Sequence, residues 1–173
     1  LVGGLLTTSE IVDTWKAWWV GDAMGVLLVT PIIIGVNALQ FRRPENKRVL
    51  EGALLIATLI LASVVVFGEP ASVGTVARGR EYILFPPLIW AALRFSVRGT
   101  ILSVGLVALL AIVLTTLGRG PFIHGELHDN LLALQLFLGI TSTTFLLLGA
   151  AVSERLRAII ASLAAQETAE AAN

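Results

Sequence analysis

The sequence predicts an all-α integral membrane helical bundle, about five transmembrane helices followed by a coiled-coil exit helix. Three observations predict it. Of 173 residues, 56% are hydrophobic and only 14% are charged, against ~25% charged in an average soluble domain, and the mean hydropathy is +0.87. The charges are clustered, leaving uncharged stretches of the length that crosses a bilayer. The last of these stretches continues without a helix breaker into a heptad-patterned tail. The 12 Lys+Arg balance 12 Asp+Glu, which gives nucleic acid nothing to bind. The absence of cysteine excludes a thiol nucleophile, a disulfide scaffold and a cysteine-based metal site.

The chain divides by this reading into three parts. Residues 1–19 are the outer end of a truncated helix plus an interfacial helix, 20–152 a five-span membrane bundle, and 153–173 a cytoplasmic helix or linker. In the first part Ile11, Val12, Trp15, Trp18 and Trp19 fall on one helical face, with Glu10, Asp13 and Lys16 opposite. Tryptophan on such a face prefers the headgroup level of a membrane. No signal-peptide pattern is present.

The spans lie in the charge gaps. Residues 23–41, 52–68, 99–118 and 130–153 carry no Asp, Glu, Lys or Arg, and each is long enough to cross. A fifth candidate, 82–93, has only 12 uncharged residues, about 18 Å of helix, and Pro86-Pro87 is expected to break its backbone bonding in mid-membrane. Charge asymmetry decides for it. With five spans and the N-terminus outside, Arg42, Arg43, Lys47, Arg48, Arg94, Arg98, Arg155 and Arg157 lie inside, against Lys16, Arg78, Arg80 and Arg119 outside. Without the short span the division evens out, so the positive-inside rule favours five crossings and a cytoplasmic C-terminus.

The connections agree with that count. Phe95-Ser-Val-Arg-Gly99 is a tight turn that makes the third and fourth helices antiparallel neighbours. Gly118-Arg-Gly-Pro121 carries the stop chemistry for the fourth, and Asp129 or Asn130 is placed to cap the fifth. In the first span Gly21-x-x-x-Gly25 is a small-residue face for close helix contact, followed by Pro31 and a kink. In the fifth, Gln135, Gly139 and Ser142 share a face, suited either to an interhelical hydrogen-bonded seam or to hydroxyls bonding back to their own helix. Val152, Leu156, Ile159, Leu163, Gln166 and Glu170 then repeat at four–three spacing, the seam of a coiled coil that would pair two copies.

Four residues are candidates for ligand binding: Asp22, Trp19, Trp90 and Arg94. Asp22 sits at the mouth of the first span beside Trp19, where a carboxylate either meets a cation or is satisfied by first-turn amides. Trp90 and Arg94 are four apart, close enough for a cation–π stack, unless Arg94 anchors an anion. His124-x-Glu-x-His128 lacks a fourth donor and reads as a solvated loop rather than a metal site. No catalytic residue and no cofactor are expected, and the sequence holds no phosphate-binding glycine loop, catalytic triad or kinase box.

Three stretches together resemble a known family. They are Trp18-Trp-Val-Gly-Asp-Ala-Met-Gly-Val-Leu-Leu-Val-Thr-Pro31, Phe85-Pro-Pro-Leu-Ile-Trp-Ala-Ala-Leu-Arg-Phe95, and the last span running into Ser153-Glu-Arg155. The family is the membrane-associated sensor domain of the first type, and the likeness covers its later part. The resemblance implies a sensory input module of a bacterial inner-membrane signalling protein. It implies a cytoplasmic output domain of the histidine kinase (two-component) or cyclic-di-GMP kind, and Asp22, Trp90 and Arg94 as signature positions. Two other readings compete: an accessory subunit of a larger membrane complex, and a small transporter half. The unbroken exit helix favours the sensory one, since neither alternative needs a heptad-bearing rod.

Overall fold

A computed structural model describes residues 8–37, 46–69, 79–123 and 127–171. These form five α-helices: α1 (Thr8–Asn37), α2 (Asn46–Phe67), α3 (Phe85–Arg94), α4 (Ser96–Thr116) and α5 (Leu127–Ala171). A single 3-10 segment, Arg80–Leu84, leads into α3. Four helices, α1, α2, α4 and α5, are long and apolar enough to cross a membrane. Large apolar side chains such as Val26, Leu61, Leu109 and Leu147 are left exposed, the surface that hydrocarbon chains cover.

The helices alternate in direction. Glu51 near the start of α2 pairs with Arg94 at the end of α3, while Glu69 beyond the end of α2 pairs with Arg80. The segment 80–94 therefore runs antiparallel to α2 over its whole height. Five residues of 3-10 and ten of α-helix make about 25 Å, so the 3-10 lead-in carries the short α3 along α2 from Glu51 to Glu69. α4 returns, its far end held to α2 where the Gly120 N–H donates to the Glu69 carbonyl at 3.0 Å. α5 descends again, so that Ser153 reaches the start of α4.

α4 touches every other helix. Its inward face carries Thr100, Ser103, Val104, Val107, Ala108, Ala111 and Thr115, spaced as one helical stripe and mostly small. Close approach is the gain, because helices in lipid associate through packing rather than hydrophobic transfer. A Cβ on Gly149 of α5 would lie 2.7 Å from Thr100 Oγ1, and one on Gly105 of α4 would lie 2.8 Å from Ile32 of α1. The core between α2, α3, α4 and α5 is filled by Leu59, Phe67, Leu84, Leu88, Val107 and Phe145. Phe67 meets Phe122 and Phe137 at 6.1 and 5.9 Å between ring centroids, closing the Glu69 end.

Several expectations change against this frame. Pro86 and Pro87 break nothing, because they stand in the first turn of α3, where backbone N–H groups have no helical partner to lose. The turns bearing Trp15, Trp18 and Trp19, expected as a separate interfacial helix, are the first turns of α1. No breaker intervenes, and the helix continues through Gly21 and past Pro31. α5 begins at Leu127, so Asp129 lies in its first turn and Asn130 is buried within the helix rather than capping it.

The stop of α4 is as the sequence predicts. Gly118 adopts φ 74°, and the N–H groups of Gly118 and Arg119 donate to the carbonyls of Thr115 and Leu114, each at 3.0 Å. That is a Schellman motif. The turn between α3 and α4 is tighter than expected: Phe95 alone separates the helices, and Ser96 takes φ 62°. Ser153 of α5 relieves that bend, its Oγ accepting the Val97 N–H at 2.9 Å.

Candidate functional site

A cavity of about 730 Å³ lies between α1, α4 and α5 at the Glu69 end of the bundle. α1 contributes Gly21, Met24, Gly25 and Leu28, α4 contributes Thr115 and Thr116, and α5 contributes Asn130, Leu134, Gln135 and Leu138. It exists because α1 packs loosely. No residue of Trp18–Gly35 is fully buried, and a Cβ on Gly25 would meet nothing within 4 Å. The Gly21-x-x-x-Gly25 pair, expected to bring two helices together, does so only at Gly21, which faces the Gln135 amide. At Gly25 it opens space.

The polar part of the lining is hydroxyl and amide. Thr116 donates to its own helix, at Val113 O. The buried Oγ of Thr115 has no hydrogen-bond partner, and an unpaired buried hydroxyl costs about 1–3 kcal/mol. Ser142, expected either in an interhelical seam with Gln135 and Gly139 or bonded back to its own helix, is likewise buried with its Oγ unpaired. Gly139 instead admits the Met24 thioether, 3.0–3.1 Å from where a Cβ would stand. No titratable side chain lines the cavity among the described residues, so the space suits a largely apolar molecule with a few hydrogen-bonding groups.

The four residues singled out in the sequence fall at two opposite ends. Asp22 and Trp19 lie on α1 at the cavity end. Both are exposed, and Asp22 is adjacent to the lining residue Gly21 without lining the cavity itself. Trp90 and Arg94 lie at the other end, separated by the length of α4, about 30 Å. Of the two roles open to Arg94, a stack on Trp90 or the anchoring of an anion, the stack is not formed, and Arg94 is held in an ion pair. Arg94 Nε and Nη2 donate to the two carboxylate oxygens of Glu51 at 3.0 and 2.9 Å, a bidentate geometry that a planar guanidinium favours. Trp90 packs edge-on against Phe95, centroids 6.3 Å apart. His124 and Glu126 of the His124-x-Glu-x-His128 motif lie outside the described residues and position 128 falls in the first turn of α5; among the described residues no group of three metal-ligating side chains occurs.

Sequence reasoning missed Glu51 and the threonine pair of the cavity. Glu51 is 43 positions from its partner, so no local spacing announces it. Thr115 and Thr116 carry a weak signal, two hydroxyls at the end of an apolar span.

No curated protein and no solved structure matches the chain. The MASE1 family model, in contrast, matches residues 1–156, nearly the whole bundle and the start of the exit helix. With its apolar helical bundle, the chain belongs to that family, MASE1, a membrane sensory domain of signalling proteins.

Proposed function

We propose that this chain is the sensory input of a bacterial inner-membrane signalling protein. A small, mostly apolar ligand enters the cavity between α1, α4 and α5, and α5 carries the change to a cytoplasmic output domain. One observation carries the reading: α5 is both a wall of the cavity, through Asn130, Leu134 and Gln135, and a single helix that runs on to Ala171. Residues 154–170 are all exposed, so about 26 Å of it projects beyond the bundle. Leu156, Ile159 and Leu163 along that rod are exposed apolar side chains, which supports pairing with a second copy. Asp22 and Trp19, at the cavity end, are the residues of the original four that a ligand approaching from outside would pass. Trp90 and Arg94 serve the opposite end. The excess of arginine there supports a cytoplasmic C-terminus.

Register tests this. One residue inserted after Ser153 turns everything downstream by ~100°, whereas seven restore the face to within ~20°. In the full-length protein the one-residue insertion is expected to change output strongly and the seven-residue insertion far less. Indifference to both would leave the chain a space-filling membrane subunit.

A further inference from the structure

At the end opposite the cavity, a groove of about 490 Å³ opens where α5 leaves the bundle. Four arginines line it: Arg48 from α2, Arg94 from α3, Arg98 from α4 and Arg157 from α5. Glu51 is the one carboxylate in the lining, and it is engaged by Arg94. Arg98 and Arg157 meet no carboxylate within ion-pair distance among the described residues. Glu154, one turn from Arg157, lies on the exit helix outside the lining. The groove therefore holds net charge +3 from its own lining. Beside Ser96 and Ser153, its remaining wall is apolar and includes Leu93, Leu156 and Ile160, all three exposed.

We propose that this groove binds the phosphate-bearing headgroup of an anionic lipid. Cations gathered around an apolar wall at the end of a membrane bundle match a phosphodiester with acyl chains running alongside. The lining brings together four different helices, so a bound headgroup bridges Arg48 and Arg98 of the bundle to Arg157 of the exit helix. Lipid composition would thus set how firmly the exit helix is held where it leaves the membrane, whatever occupies the cavity 30 Å away, about the length of α4.

The test uses the chain in nanodiscs of phosphatidylcholine mixed with phosphatidylglycerol, with retained lipids counted by native mass spectrometry. Phosphatidylglycerol is expected to be retained in preference. Arg98→Gln and Arg157→Gln should each reduce that preference about tenfold, the low end of what one direct hydrogen bond to a charged group is worth. Arg155→Gln, a cation at the same level outside the groove, should leave it unchanged. These arginines are exposed, so folding survives the changes, and helical circular dichroism checks it. Equal retention of both lipids overturns the proposal, as does an Arg155→Gln loss matching that of Arg98→Gln. A third arm titrates inorganic phosphate. Displacement of the retained phosphatidylglycerol by phosphate alone would make the ligand a free anion and overturn the lipid assignment.

Discussion

α1 and α3 are opposite extremes of the same bundle. α1 has 30 residues, and none of its spanning window is buried; α3 has 10, of which Pro87, Leu88, Ala91 and Ala92 are buried. In water the longer apolar helix would be the one drawn inward. In lipid that pull is absent, and position follows fit: Ala91 and Ala92 of α3 admit its neighbours closely and Leu88 fills the core between α2, α4 and α5, while α1 rests against α4 and α5 and leaves a cavity. Length governs whether a helix can cross unaided, and the fit of its side chains to the neighbouring helices governs whether it is enclosed.

The sharpest way to break this comparison is to ask whether α3 crosses at all. The sequence has no cysteine, so single cysteines report cleanly. Tyr82→Cys and Arg98→Cys flank α3, and an impermeant thiol reagent on intact cells is expected to label the first and spare the second. Labelling of both from outside would make the segment re-entrant and return the bundle to four spans.

Packing comes next. Leu88, fully buried on α3, and Val26, exposed on α1, both become alanine. Leu88→Ala is expected to cost near the low end of the ~2–5 kcal/mol seen in soluble cores, because transfer to lipid forfeits little and the void accounts for most of the loss. Val26→Ala should be neutral. Thermal unfolding in nanodiscs reads both, and equal shifts would mean that α1 is as enclosed as α3.

The smallest effect has the opposite sign. A Cβ at Gly25 meets nothing, so Gly25→Ala is expected to stabilise the bundle by up to ~1 kcal/mol through helix propensity alone. Destabilisation in the same unfolding assay would show that α1 sits closer to α5 than a 730 Å³ cavity permits.

Much of this architecture is legible in the chain, for physical reasons that can be named. Charges end spans, so the uncharged stretches locate α2, α4 and the membrane part of α5. Gly118 is needed for a left-handed stop, so it marks the end of α4. Pro86-Pro87 misleads, because proline breaks a helix or begins one according to where the helix starts, and that depends on a 3-10 lead-in without its own sequence pattern. Gly21-x-x-x-Gly25 misleads for a related reason: small residues permit contact and permit emptiness alike. The candidate site was only half visible. Asp22 and Trp19 lie at the cavity end of the molecule, but the polar part of the cavity wall is Thr115, Thr116, Asn130 and Gln135, residues that come together only when the helices meet. Arg94 draws attention as a lone cation, yet its partner is set by tertiary contact with Glu51.

The contact of Gly149 with Thr100 has a mechanical consequence. It is a close approach of α5 to α4, and it lies between the cavity and the projecting rod, one turn before Ser153, whose Oγ accepts the Val97 N–H of α4. A helix pinned so closely at one point behaves as a beam on a fulcrum. From Gln135 to Gly149 the beam measures about 21 Å, and from Gly149 to Ala171 about 33 Å. A sideways displacement of the cavity arm reappears at the far tip reversed in direction and enlarged about 1.6-fold. A ligand that shifts α5 by the width of a single methyl group moves the tip by more than that, with no change in the helix itself.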